Sequence, residues 1–273
     1  MARPDRLRPF WLLSLTLLLQ ACGSQPVQDS APAQAGSGFP RGLPDDPVPR
    51  DEPRSRYGNG PSYEVYGETY RVLDTNYGYR ERGVASWYGR KFHGRPTSSQ
   101  ETYDMYAMTA AHKSLPLPSY VQVRNLRNGK NVVVRVNDRG PFVDNRLIDL
   151  SYAAALKLDM VTSGTSLVEV TAISFDQPVT ERATPAITAP WPGHRSASVY
   201  VQVGAFGEAE NARRRFALLR DVGIDEAFVD KDGSATPALY RVRIGPIASV
   251  MQYDSIVQRL QGIGISETHL VTE

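Results

Sequence analysis

The chain reads as two folded bodies in series, a mostly β body followed by a small α+β unit. Three observations carry that reading. Residues 23–62 and 178–198 are rich in Pro, Gly, Ala, Ser and Thr and poor in large apolar side chains. Between these breaks, short β-branched runs alternate with turn residues, the pattern of a small barrel. After the second break, two strand–Gly–helix halves repeat, around Gln202-Val203-Gly204 and Arg243-Ile244-Gly245.

At the N-terminus, Arg3, Arg6 and Arg8 precede a mostly apolar stretch from Phe10 to Leu19, followed by Ala21-Cys22. A basic head, an apolar run too short to span a bilayer and a small residue at the cut describe an export signal over residues 1–21. Cys22 is the sole cysteine of 273 residues, so no intramolecular disulfide supports the folded bodies. Leu19-Gln20-Ala21-Cys22 resembles a bacterial lipobox. That resemblance implies a diacylated Cys22 as the new N-terminus, and two or three acyl chains anchor a soluble domain firmly. Gly23 in place of Asp implies the outer membrane rather than retention at the inner one. Removing the signal leaves 28 basic and 28 acidic side chains, so no net positive charge points to nucleic acid.

Residues 22–62 carry eight prolines and six glycines and are expected to be a tether, with a reach of roughly 35 Å for 40 flexible residues. The first body covers residues 63–177. Tyr120-Val121-Gln122-Val123 and Val132-Val133-Val134-Arg135-Val136 predict strands at 120–126 and 130–136. Asn128-Gly129 between them is a hairpin signal. A further strand is expected at Ser166 to Val170, and a helix at Ser151 to Leu158 with Ser151 as its N-cap. Pattern alone stops at a small barrel. The tyrosine-rich stretch 57–82 has the apolar content to pack on it.

The barrel body carries several motifs in order. Gly83-Val84-Ala85-Ser86-Trp87-Tyr88-Gly89 is followed by Phe92-His93-Gly94-Arg95-Pro96-Thr97 and Glu101-Thr102-Tyr103-Asp104-Met105. Thr109-Ala110-Ala111-His112-Lys113, Val136-Asn137-Asp138-Arg139-Gly140-Pro141-Phe142 and Ile148-Asp149-Leu150-Ser151 complete the series. From Tyr57 to about Phe175 this resembles the rare lipoprotein A family. The resemblance implies a six-stranded double-psi β-barrel, shared with expansins, and an activity as a lytic transglycosylase of peptidoglycan. It also implies Asp138 as the catalytic aspartate, Glu101 as its partner carboxylate, and His112 as a substrate-positioning or proton-tuning group.

The chemistry suits these residue types. Glycoside cleavage needs an acid for the leaving oxygen and a means of capturing the oxocarbenium-like centre. In a lytic transglycosylase the sugar's own C6 hydroxyl attacks, so one carboxyl can act in turn as acid and base. Taken alone, Asp138 in Asn-Asp-Arg-Gly equally suits an Asx-type turn bond or a pair with Arg139. Glu101 alone reads as a surface carboxylate, and Arg139 and Asp149 as a structural pair or turn bonds. Trp87, Tyr88 and Phe92 suit either a sugar platform or strand packing. His93, His112 and Asp104 lack metal-ligand spacing, so neither metal nor cofactor is expected. Where the family has Thr-Ala-Asn-Gly-Glu, this chain has Thr97-Ser98-Ser99-Gln100-Glu101. The Asn-Gly pair, which takes positive φ readily, is absent, so the turn presenting Glu101 need not keep the family's shape.

A linker at 178–197 leads to the second unit, 198–273. Val199, Val201 and Val203 alternate with polar residues. A helix follows from Glu208 to Asp221, ended by Gly223, then strands at 227–230 and 239–244. A helix at 249–261 and a strand at 267–271 complete a β-α-β-β-α-β order. Tyr200-Val201-Gln202-Val203-Gly204-Ala205-Phe206 with Tyr240-Arg241-Val242-Arg243-Ile244-Gly245-Pro246 resembles the SPOR domain, which implies binding of glycan strands stripped of stem peptides. By strand parity, Tyr200, Gln202, Arg241 and Arg243 share the open face of the sheet. Gln202 and Arg241 match the family's binding positions. An RNA-recognition module of the same topology would carry aromatic signatures that are missing here.

Together these readings predict an outer-membrane lipoprotein facing the periplasm and enriched at the division septum. It would cleave denuded peptidoglycan strands, endo- or exo-acting, to 1,6-anhydro-muramic ends, with division-site proteins among its partners. The alternatives are a septal glycan-binding lipoprotein without catalysis and an expansin-like loosener.

Overall fold

A computed structural model describes residues 42–143, 145–175, 198–233 and 237–273. The export signal, Cys22, residues 22–41 of the tether and the linker at 178–197 lie outside the described residues. No described helix is long and apolar enough to cross a membrane.

The elements run β1 (Ser62–Val65), β2 (Glu68–Arg71), β3 (Arg80–Tyr88), β4 (Thr109–His112), β5 (Ser119–Asn125), β6 (Asn131–Asp138), β7 (Arg146–Ser151), α1 (Tyr152–Lys157) and β8 (Ser166–Ile173). The second unit adds β9 (Val199–Phe206), α2 (Ala209–Asp221), β10 (Ala227–Asp232), β11 (Leu239–Ile244), α3 (Val250–Gly262) and β12 (His269–Thr272).

Six strands close a barrel in the order β3-β7-β4-β6-β5-β8. Two of its pairs are parallel, β3 with β7 and β4 with β6, and the rest are antiparallel. Alternation places the interior: Val121 and Val123 of β5, and Val132, Val134 and Val136 of β6, are fully buried. The hairpin between these strands turns at Gly129, whose φ of 73° is open to glycine at no steric cost. Ser151 caps α1, its Oγ accepting from the Ala154 N–H at 3.2 Å.

The structure corrects the tether at its C-terminal end. Residues 42–61 lie along the barrel as a strap. Asp46 accepts from the Val133 N–H at 2.6 Å and pairs with Lys157 at 2.5 Å. The Ser55 N–H donates to the Leu117 carbonyl at 2.8 Å, and the Asn59 side chain bonds both the N–H and the carbonyl of Leu117. Val133, on the outward parity of β6, is therefore only 5% exposed. Proline does not forbid this, because an extended strap needs no ladder of its own and is held here by side chains and isolated bonds. Residues 57–82 also pack. β1 and β2 form a hairpin, and the Leu73 N–H donates to the Ser114 carbonyl at 2.8 Å.

The second unit is a four-stranded sheet, β10-β11-β9-β12, with α2 and α3 on one face. Val201, Val203, Val242 and Ile244 meet Ala212 and Leu219 of α2 and Ile256 and Leu260 of α3 in its core. α2 ends at Gly223, which has a φ of 74°.

Candidate active site and glycan-binding face

Asp138 is the last residue of β6, in register with Ala111 of the parallel strand β4. Three donors converge on its Oδ1: the Ser98 N–H at 2.8 Å, the Ser98 hydroxyl at 2.7 Å and the Arg139 N–H at 2.8 Å. The local bond to Arg139 is the kind of turn bond the sequence allows. The two from Ser98 are not local, for they tie the strand end to the turn that carries Glu101. Oδ1 is thus fixed, and Oδ2 carries the remaining acceptor capacity.

That turn is closed by the Thr97 N–H to the Glu101 carbonyl at 2.7 Å and the Gln100 N–H to the Thr97 carbonyl at 2.9 Å. Gln100 stands where the family has glycine, and its φ is 68°. The turn therefore has a left-handed residue at that position without Asn-Gly, with the strain borne by a side chain that rarely adopts it. The Glu101 Oε2 accepts from Arg135 Nη1 at 2.7 Å and from Asn137 Nδ2 at 2.9 Å. Burial alone would raise its pKa. The Arg135 and Asn137 bonds and the Arg135 charge outweigh that and hold the carboxyl below its ordinary range. Glu101 is an anion at neutral pH.

Arg135 is itself clamped from the other side by the strap. Its Nη2 and Nε donate to Glu52 at 2.8 and 3.2 Å. These bonds are the main cause that draws the Glu52 carboxyl down to about 2. Glu52 was missed by sequence reasoning because it sits in a proline-rich stretch whose composition reads as unfolded. Arg139 is 9% exposed and donates to the carbonyls of Gly58, His112 and Leu115 and to Asn59 Oδ1. The strap thus supports the neighbours of both carboxylates.

His112 lies beneath the site, at the end of β4. It is 2% exposed, and its Nδ1 accepts from the Ser114 and Leu115 N–H groups at 3.2 and 3.1 Å. With that nitrogen accepting, the proton lies on Nε2, which donates to the Tyr79 hydroxyl at 2.8 Å. The hydroxyl passes the chain on to Glu81 at 2.8 Å. Burial, reinforced by Arg139 and Lys113, lowers the His112 pKa to about 3. A neutral ring with both nitrogens bonded holds the loop whose carbonyls grip Arg139.

The aromatics Trp87 and Tyr88 at the end of β3 serve packing. Tyr88 is buried and stacks on Tyr103 at 4.1 Å, while Trp87 packs against Tyr152. Phe92 is 39% exposed. Asp149 accepts from the Ser86 hydroxyl. Among the described residues, no three His, Cys, Asp or Glu side chains lie close enough to hold a metal ion.

On the second unit, the open sheet face brings Tyr200, Gln202, Arg241 and Arg243 together, as parity predicts. It also holds carboxylates that the sequence reading did not include. Arg241 pairs with Asp232. Arg243, 9% exposed, pairs with Asp230 at 3.1 Å and with Glu273, and its Nε reaches Gln202 Oε1 at 3.5 Å. Asp230 and Asp232 alternate on β10 as the arginines do on β11, so the same parity argument would have found them. Tyr200 meets Phe228 edge-on at 5.6 Å. The face is an aromatic edge beside a ladder of neutralised guanidinium groups.

Comparison with known proteins finds a family for each unit. Residues 80–170 match the family model described as lytic transglycolase, and residues 196–269 match the SPOR domain. A curated protein of Vibrio cholerae, named endolytic peptidoglycan transglycosylase RlpA, is 39% identical over 231 residues, which span 84% of this chain and 82% of its own. A protein of the same name from Pseudomonas aeruginosa strain UCBPP-PA14 is 37% identical over 257 residues, spanning 77% and 75%. Among solved structures, the SPOR domain of RlpA from Pseudomonas aeruginosa aligns at 29% identity with a TM-score of 0.25, over 27% of this chain and 96% of that one.

Proposed function

The chain belongs to the RlpA family, and on that footing we propose that it is an endolytic peptidoglycan transglycosylase whose second unit binds the glycan strands it cuts. The observation that carries this is the setting of two carboxylates around one turn: Ser98 fixes Asp138, and three residues on Glu101 is clamped by Arg135 and Asn137. Two carboxyl groups in different surroundings can divide acid–base and charge-stabilising roles.

Asp138 donates a proton to the glycosidic oxygen as the bond to the muramyl C1 breaks. Glu101, already ionised, faces the positive charge that develops on the sugar. Asp138, now a carboxylate, takes the proton of the same sugar's C6 hydroxyl as that oxygen closes on C1. The products are a 1,6-anhydro end and a free 4-hydroxyl, and no water is consumed. Tyr200, Gln202, Arg241 and Arg243 supply the sheet face that holds a denuded strand. Lipidation at Cys22, the outer membrane, the septum and division-site partners complete the proposal.

The test incubates the protein with peptidoglycan strands that carry or lack stem peptides and reads chain ends by mass spectrometry. New anhydro-muramic ends are expected from denuded strands with the native protein and not with Asp138→Asn. Binding without new ends would refute catalysis and leave a glycan-binding lipoprotein.

A further inference from the structure

Next to Asp138 lies a cavity of about 390 Å³ whose walls come largely from residues N-terminal to the lytic transglycolase match. Gly58, Tyr63 and Val65 of the strap and hairpin face Ser98, Arg139 and Phe142 across it. Ser98 and Arg139 are the two residues that donate to Asp138 Oδ1, so the cavity is one residue's width from the catalytic carboxylate. Its volume is within the range of small-molecule sites.

The cavity is built rather than incidental. The Tyr63 ring stacks on Tyr70 at 5.4 Å, meets Phe142 edge-on at 6.1 Å and lies 5.8 Å from the Arg139 guanidinium carbon. Its hydroxyl donates to the Lys113 carbonyl at 2.8 Å. The ring is locked on several sides. Gly58 has a φ of 75°, and a Cβ there would meet both Leu117 and the Ser98 carbonyl at 2.9 Å. Only glycine lets the strap pass this close to the turn that bonds Asp138.

Its chemistry selects the occupant. The polar groups of Ser98 and Arg139 are already engaged with Asp138 and with backbone carbonyls, which leaves the Ser62 hydroxyl beside the ring and methyl surface of Tyr63, Val65 and Phe142. Burying a bare hydroxyl-rich sugar face there would leave most of its hydroxyls without partners. A sugar with a pendant acetamido group offers a methyl and C–H surface instead. We propose that this cavity is a subsite for one N-acetylhexosamine of the strand, beside the bond that is cut. It takes the acetamido methyl and the apolar ring face against Tyr63, Val65 and Phe142. The inference rests on the transglycosylase reading for its substrate class.

The test uses the full chain with denuded strands, native or chemically de-N-acetylated. It reads anhydro ends by mass spectrometry and backbone hydrogen exchange over residues 58–66. The native protein should prefer acetylated strands about tenfold or more in kcat/KM, the scale of filling or emptying a small apolar pocket. Acetylated strands should also slow exchange at 58–66. Val65→Phe, which fills the cavity, and Tyr63→Ala, which opens its wall, should each collapse that preference toward one and remove the protection. Circular dichroism reports whether each variant is folded, and the exchange readout on the native protein stands even if Tyr63→Ala is not. New ends without acetyl preference and without protection at 58–66 would overturn the subsite alone. Protection at 58–66 with no new ends would overturn the catalytic reading and leave the subsite standing.

Discussion

Glu52→Gln tests whether the strap is part of the working barrel. The substitution keeps the side chain's shape, removes the charge facing Arg135 and turns one of the two acceptor oxygens into an NH2 donor. The Glu52 carboxyl is drawn from an ordinary 4.5 to about 2, chiefly by the Arg135 hydrogen bonds. At full strength that shift corresponds to ~3 kcal/mol. Screening near the surface reduces it to about 1–2 kcal/mol. Because the folded-state pKa is depressed, this stabilisation is present above pH 4.5 and is lost as pH falls toward 2. The variant should lower the barrel's melting temperature by about 4–8 °C at neutral pH. Its gap to the native protein should then close on acidification. Thermal unfolding followed by near-ultraviolet circular dichroism across that range provides the measurement. A gap as wide at pH 2 as at neutrality would refute the electrostatic argument. No gap at any pH would mean that the Glu52 charge contributes nothing to the barrel.

Two further predictions concern the site. Gln100→Gly removes a left-handed side chain at φ 68°; allowing for glycine's greater freedom when unfolded, it should stabilise the barrel by about 0.5–1 kcal/mol, read by urea unfolding. His112, lowered to about 3 mainly by burial, stabilises the fold fully above its ordinary pKa of 6.5 and progressively less as pH falls toward 3. Its NMR titration should accordingly show no protonation between pH 5 and 8, and His112→Ala should cost about 1–3 kcal/mol through the orphaned Ser114 and Leu115 N–H groups.

Much of the scaffold was legible because it is written in local signals. The β5–β6 hairpin announces itself in alternating valines around Asn128-Gly129, and Ser151 caps a helix the pattern had already placed. Parity alone assigned the open face of the second unit. The strap was not legible, because composition counts apolar residues. Residues 42–61 are held instead by Asp46, Glu52 and Asn59 reaching specific partners 58 to 111 positions away. The surroundings of His112 were not legible for a related reason. Its residue type suits a groove, and only the distances to Ser114, Leu115 and Tyr79 reveal that both nitrogens are already used. The turn at Gln100 shows a different limit. The loss of a glycine removes the residue that takes positive φ freely, yet Gln100 adopts a φ of 68° and accepts the strain.

The barrel's wiring has a temporal consequence. Ser98 and Asp138 are 40 residues apart in the chain, and β3 must find both β7 and β8 before the ring closes. Such non-local pairings form late, since loop closure has to precede the contacts that reward it. The two carboxylates therefore have no fixed relation to one another in a nascent or half-folded chain. A polypeptide that acts on a load-bearing polymer becomes competent only as its last seam closes, so any precursor that stalls before closure is harmless to the wall around it.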